Sequence, residues 1–222
     1  TYGFQHAADF WAHDIHLSSY GSTYQLYHQD KNLGTVRLAV PGLHNISNSL
    51  AAFSLLISLG LDPERLIEKM AEFKGTGRRL EVKLETSRLL VVDDYAHHPT
   101  EIRASLKALK ILGRRVTVIF QPHRFSRIKG LLKDFGPSFE DADRLILTDI
   151  YGAGEADDKK ISAQEVLETV RLSGHKNVSF IKREELLKTL QPTEAPEGDL
   201  FAFIGAGDIE EIANAFAVRF KG

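Results

Sequence analysis

Between residues 93 and 98 the chain sets two carboxylates, a phenol and two imidazoles: Asp93, Asp94, Tyr95, His97 and His98. An acid here can accept hydrogen bonds from ribose hydroxyls, and an imidazole can orient a substrate or carry a proton. So many titratable groups in one short loop suit a site, although a capped loop of solvated charges has the same composition. A second group, His123, Arg124 and Arg127, stands in Gln121-Pro122-His123-Arg124-Phe125-Ser126-Arg127 and supplies fixed positive charge. Two guanidiniums three apart at a helix start match a carboxylate or a phosphate; a solvated basic turn is the alternative. Asp93 and Asp94 with His97 and His98 do not make a metal site, because adjacent loop residues do not readily chelate one ion and the His spacing is not i, i+4.

Regular elements must position these groups. The apolar run Leu89–Val92 has the length and β-branching of a buried strand. Pro99 and Glu101 suit the first turn of a helix. Residues 89–101 therefore read as strand, polar loop, helix. From Glu81 onward strands and helices alternate. The strands are Val82–Leu84, Leu89–Val92, Val116–Phe120, Arg144–Thr148, Val178–Ile181 and Leu200–Ile204; the helices are Pro99–Leu112, Ser126–Phe135, Ser162–Ser173, Arg183–Leu190 and Asp208–Phe220. This alternation predicts an α/β fold, a Rossmann-like doubly wound and mostly parallel sheet. The carboxyl ends of its strands share one edge, where ligands bind in such sheets. The loops after Val92, Phe120, Leu147 and Ile204 converge there. The last of them, Gly205-Ala206-Gly207-Asp208, is half a dinucleotide fingerprint with Glu210 where the third glycine would stand. It reads as a tight turn, either plain or making a close backbone approach.

Upstream, Ala12–Leu17, Ser22–His28 and Thr35–Val40 read as a small antiparallel meander. Pro41-Gly42 breaks the chain ahead of a helix over Ser49–Leu59, for which Asn45, Ser47 and Asn48 are candidate N-caps. Asn45 and Asn48 share a helix face, where they either cap or help meet an anion. Asp62-Pro63-Glu64 starts a further helix to about Phe73. Gly75-Thr76-Gly77 then forms a hinge followed at once by Arg78 and Arg79, charges that meet a phosphate or simply face solvent. The domain boundary is placed here, giving 1–78 and 79–222.

Composition bounds the rest. At 222 residues, 43% apolar and net charge −2, nothing draws the chain to nucleic acid or to an anionic membrane. It has no cysteine, so disulfides, thiolate metal sites and a Cys nucleophile are excluded. No stretch has the length and apolarity of a membrane span or a signal peptide, and a cytoplasmic location is expected. The chain opens at Thr1 without an initiator Met and reads as a piece of a longer protein. No G-x-x-x-x-G-K-[ST] string occurs, so a complete P-loop cannot be built from it.

Six strings in order carry a resemblance: Pro-Gly-Leu-His-Asn-Ile-Ser-Asn (41–48), Gly-Thr-Gly-Arg-Arg-Leu-Glu (75–81), Val-Asp-Asp-Tyr-Ala-His-His-Pro-Thr-Glu (92–101), Gln-Pro-His-Arg-Phe-Ser-Arg (121–127), Tyr-Gly-Ala-Gly-Glu (151–155) and Gly-Ala-Gly-Asp-Ile (205–209). Across essentially its whole length the chain resembles the Mur ligases of peptidoglycan synthesis. The 92–101 and 121–127 strings point to the members that add L-alanine to UDP-N-acetylmuramate. The resemblance implies the tail of a central ATP-binding domain (1–78) and a Rossmann-like C-terminal ligase domain (79–222). The UDP-sugar domain, the P-loop lysine and most Mg2+ ligands would lie in an N-terminal half outside this chain, which alone is expected to be inactive. It implies ATP-dependent amide formation through an acyl phosphate, which demands positioning and charge stabilisation more than a protein nucleophile. By motif, His44, Asn45 and Asn48 resemble nucleotide contacts, Arg79 the arginine that reaches ATP phosphates, and Asp94 an acid engaging nucleotide. Tyr95, His97, His98, His123, Arg124 and Arg127 resemble the rim that receives the amino acid, with Arg79, Asp94 and His98 taken as catalytic. The hinge would let the C-terminal domain close over nucleotide. Three other readings compete: the related ligase that attaches recycled peptide to muramate, a non-catalytic nucleotide- or anion-binding module, and a receiver-like domain, which lacks its lysine because Gly205-Ala206-Gly207 stands in its place.

Overall fold

The computed structural model describes residues 1–18, 21–156, 160–193 and 196–221. The chain divides into two compact units, Thr1–Gly75 and Thr76–Gly222.

In the first unit, β1 (Tyr2–Gly3), β2 (Phe10–Ser18), β3 (Gly21–His28) and β4 (Lys31–Leu38) form a sheet in that order. β2, β3 and β4 make the expected antiparallel meander, and β1 adds to it in parallel. Alternate residues Tyr24, Leu26, Val36 and Leu38 turn inward and meet Ile46, Leu50 and Phe53 of α1 (Leu43–Ser58). α2 (Pro63–Glu72) follows, with Asp62 as N-cap accepting from the Glu64 amide. The start of α1 corrects the expectation of a helix from Ser49. The helix already begins at Leu43, and its N-cap is Gly42, with no side-chain cap bond. Asn45 and Asn48 are therefore inside the helix rather than at its cap. The Asn45 amide is used locally, donating to the Pro41 carbonyl at 2.8 Å.

The second unit is a six-stranded sheet. Its strands are β5 (Glu81–Glu85), β6 (Leu89–Asp94), β7 (Arg115–Phe120), β8 (Arg144–Leu147), β9 (Val178–Phe180) and β10 (Asp199–Ile204). Their order is β5-β6-β10-β7-β8-β9, parallel throughout except for β5, which runs antiparallel at the edge. The interleaving helices are α3 (Pro99–Lys110), α4 (Phe125–Phe135), α5 (Ala163–Leu172), α6 (Leu186–Thr189) and α7 (Ile209–Arg219). The doubly wound reading holds, and the period-two alternation explains how one strand feeds two cores. In β10, Leu200, Ala202 and Ile204 join the layer with Ile102, Leu106, Ile128 and Val166, while Phe201 and Phe203 join the layer with Ile209, Ala213 and Phe216. The single helix expected over Arg183–Leu190 is instead a 3-10 turn, Arg183–Glu185, running into the one-turn α6.

Candidate functional site

β6 is longer than its apolar run. Pairing with Phe203 and Ile204 of β10 carries the strand through Asp93 and Asp94. Successive strand residues face opposite sides, so the two acids are split apart. Asp93 is fully buried and accepts from Arg78 Nε at 3.0 Å. Burial raises its pKa to about 6 despite that guanidinium. Asp94, also buried, accepts from the backbone N–H of Leu80 at 2.8 Å and of Ala96 at 2.7 Å. Its pKa too is raised by burial, with those two amides opposing the shift. Each Asp94 oxygen thus accepts from the chain's own backbone, a structural role that the expected nucleotide contact did not include.

The turn that Asp94 anchors is strained. Arg78 and Leu80 adopt φ 59° and 49°, left-handed values that cost a non-glycine residue of order 1 kcal/mol or more. The surroundings impose them. The Arg78 amide donates to Glu81, its carbonyl accepts from the Tyr95 amide at 2.7 Å, and the Leu80 side chain is buried. Between them Arg79 is exposed, its guanidinium 5.8 Å from the Tyr95 ring centroid. Glu81, Asp93 and Glu210 offer three carboxylate oxygens within 4.8 Å of one another. Arg78 and Lys83 already pair with this set. A divalent cation would have to displace both, so the set fits a salt-bridge network rather than a metal.

The rim forms where β6 and β7 end. Tyr95 and His97 pack edge to face at 5.7 Å, the His97 ring lies 5.7 Å from His123, and His123 stacks on Tyr151 at 5.7 Å and 13°. A parallel bridge links His123 to Tyr151, with the Arg124 amide donating to the Tyr151 carbonyl and the Tyr151 amide to Pro122. Arg127 Nη1 lies 2.8 Å from His123 Nδ1. A guanidinium only donates, so Nδ1 is the acceptor and the ring proton sits on Nε2. Burial first, then the charges of Arg127, His97 and Arg124, lower the His123 pKa to about 4, so this imidazole is neutral at pH 7. Arg124, at φ 65°, is exposed at the N-cap of α4. Glu155 accepts from the amide and hydroxyl of Ser126 and supplies the acid at that helix start.

His98 departs from this group. It is the N-cap of α3, its Nδ1 accepting from the Thr100 amide at 3.3 Å while Glu101 accepts from the amides of His97 and His98. That capping box engages one ring nitrogen, and the reading of His98 as a catalytic imidazole gains no support from it.

The β10–α7 turn makes its close approach to protein. A Cβ on Gly207 would stand 2.4 Å from Gln121 Oε1 and 2.6 Å from Tyr151 Cγ, and Gly205, at φ 155°, lies against the Gln121 carbonyl. Gln121 Oε1 accepts from the Ile209 amide, and its Nε2 donates to Asp208. The start of α7 is therefore filled by Gln121. Asp208 is held in turn by Arg183. Arg78, Gln121, Tyr151 and Arg183 do much of this positioning; sequence reasoning read Arg78 only as a phosphate-meeting or solvated charge and gave the other three no role of their own. Only the Arg78-Arg79 doublet and the placement of Gln121 and Tyr151 just past strands pointed to them. In the first unit, His44 and Asn45 are half-buried and Asn48 is exposed, all on the first two turns of α1. A surface depression of about 380 Å³ lined by Lys110, Arg114, Arg115, Asp143 and Glu197 sits where β7 and β8 begin, away from the rim.

Residues 78–207 match the family model for the Mur ligase glutamate ligase domain, and residues 1–56 match that for the Mur ligase middle domain. The chain is 41% identical over its whole length to UDP-N-acetylmuramate–L-alanine ligase of Geobacter sp. (strain M21), covering 48% of that protein. It is 42% identical over its whole length to the enzyme of the same name from Caldanaerobacter subterraneus subsp. tengcongensis, again covering 48%. The crystal structure of UDP-N-acetylmuramate-alanine ligase MurC from Thermotoga maritima superposes with TM-score 0.79 at 28% identity, over 96% of this chain and 46% of that one. MurF ligase from the same organism, solved in complex with ADP, shares the fold at TM-score 0.66 and 18% identity, over 98% of this chain and 48% of that one. The chain spans about half the length of the curated relatives it matches. On the two matched domains and on these relatives, the chain belongs to the Mur ligase family.

Proposed function

We propose that the chain works as the C-terminal half of an ATP-dependent ligase that joins L-alanine to UDP-N-acetylmuramate in peptidoglycan synthesis, releasing ADP. Residues 1–78 are read as the end of the ATP-binding domain and 79–222 as the C-terminal ligase domain. The place of action is the cytoplasm, where ATP is available, and the product feeds cell-wall growth, and through it cell shape and division. The observation that carries the reading is the gathering of Tyr95 and His97 from the loop after β6, His123 from the loop after β7 and Arg127 from the first turn of α4 onto one edge of the sheet, with Arg124 beside them. A small zwitterion needs such a place: guanidiniums for its carboxylate, and a neutral imidazole beside them that adds no further charge next to its amine.

Arg124 and Arg127 take the carboxylate role, and neutral His123 offers its Nε2–H without adding a competing charge. Arg79, an exposed guanidinium, takes the phosphate role. His44, Asn45 and Asn48, at the start of α1, take the nucleotide-contact role within the first unit. Asp94 acts by holding the 78–80 turn rather than by touching ligand. ATP, when bound, supplies the phosphoryl group that activates the muramate carboxylate, with Mg2+ as its counter-ion held mostly by residues outside this chain. Catalysis by the residues described is positioning and charge stabilisation.

The test is direct. The complete protein carrying this chain is incubated with UDP-N-acetylmuramate, ATP and Mg2+, with and without L-alanine, and the product mass is read. Alanine-dependent amide formation with ADP release supports the proposal. Preference for a preformed peptide acceptor would assign the peptide-recycling reaction instead, and nucleotide binding without turnover would leave a binding module.

A further inference from the structure

We propose that Arg78 is a positioning residue, setting Arg79 and the Tyr95 ring for a phosphate-bearing ligand. The proposal rests on the reading of Arg79 given above. The Arg78 guanidinium is committed to its own chain on every side. Nε donates to Asp93 at 3.0 Å, Nη1 to the Gly207 carbonyl at 3.1 Å and Nη2 to the Gly205 carbonyl at 2.7 Å. Nε also lies 3.3 Å from Glu210. The guanidinium carbon stands 4.9 Å from the Tyr95 ring centroid, within cation–π range. At 17% exposure the side chain has little surface left for a ligand. One planar fork thus ties the turn at 78–80 to the end of β6 and to the β10–α7 turn.

Arg79 differs in each of these respects. It is exposed, it follows directly on the left-handed Arg78, and its guanidinium lies over the same Tyr95 ring. Its direction depends on a backbone conformation that an arginine does not adopt unaided. That conformation is sustained by the bonds of Arg78 and by the Asp94 carboxylate on the Leu80 amide. The two adjacent arginines therefore divide the work: one is buried and fixes the turn, the other is presented by it. A lysine at 78 could still pair with Asp93, but a point charge on a flexible stem cannot span two carbonyls and a carboxylate as the planar fork does.

The experiment is a double-mutant cycle in the complete protein, using Arg78→Lys, Arg79→Ala and the pair. The melting temperature, the KM for ATP and kcat are measured for each. Arg78→Lys is expected to melt within a few degrees of wild type and to weaken kcat/KM for ATP by roughly tenfold to a hundredfold. If Arg78 acts through Arg79, the pair is no worse than Arg79→Ala alone. Multiplying losses, or Arg78→Lys kinetics like wild type, would overturn the proposal and leave the reading of Arg79 standing. Unchanged ATP kinetics in Arg79→Ala would defeat the reading of Arg79 and this inference with it. Should Arg78→Lys melt far below wild type, Arg78→Gln takes its place in the same cycle, with the same outcomes.

Discussion

His123 should remain neutral far into the acid range, and this can be measured without a substrate. Its Nδ1 faces a donor-only guanidinium at 2.8 Å, its ring is nearly buried, and burial followed by the charges of Arg127, His97 and Arg124 lowers its pKa to about 4. An unfolded histidine titrates near 6.5. The folded state therefore binds fewer protons than the unfolded state between about pH 4 and pH 6.5. Stability is fully present above that window and is lost as pH falls through it. Between pH 7.5 and pH 5 this one group removes about 2 kcal/mol. Urea unfolding of wild type and His123→Gln at both pH values isolates the effect, since other titrating groups are common to both proteins. The variant should lose about 2 kcal/mol less than wild type on acidification. In parallel, the His123 Cε1 proton should keep its chemical shift from pH 8 to pH 5. A midpoint at pH 6 or above, or equal acid losses in the two proteins, would refute the assigned tautomer and the neutral imidazole at the rim.

Three further outcomes follow from the same contacts. Asp94→Ala strands the Leu80 and Ala96 amides in the interior and should cost about 2–3 kcal/mol in chemical unfolding; an unchanged midpoint would show that water replaces the carboxylate. Gly207→Ala drives a methyl into Gln121 and the Tyr151 ring, and should cost about 1–3 kcal/mol while displacing the ring that stacks on His123; calorimetry together with the Tyr151 ring resonances reads both effects. Arg79→Ala in the complete protein should cut ATP-dependent turnover by about a hundredfold or more with the melting temperature kept, since its side chain is exposed; near-normal turnover would remove it from the phosphate role.

Much of the second unit was legible because period-two burial and helix-start chemistry are local signals. The apolar runs ending at Val92, Phe120 and Ile204 are central parallel strands, and Pro99 with Glu101 opens α3 as expected. The misreadings in this unit share a cause: each depends on a partner distant in sequence. Pairing with β10 extended β6 through Asp93 and Asp94, and placed on opposite faces two acids that had read as one loop cluster. The arginine doublet was visible, but not which member would be fixed, because Gly205 and Gly207 lie over 120 residues away. The glycine turn did signal a close approach, yet the approaching groups are Gln121 and Tyr151. At α1 a strong set of capping residues misled, since the helix begins before them, at Leu43.

Arg124 is the residue at which receipt of an amino acid by the rim can be measured, because it is exposed and its guanidinium is not built into the packing of the rim. The KM for L-alanine and the KM for ATP are measured in the complete protein for wild type and Arg124→Ala. Loss of a charge-assisted carboxylate bond predicts a rise of roughly tenfold to a hundredfold in the KM for alanine, with the KM for ATP within about twofold of wild type. An unchanged KM for alanine, or a rise confined to ATP, would show that the rim does not hold the alanine carboxylate.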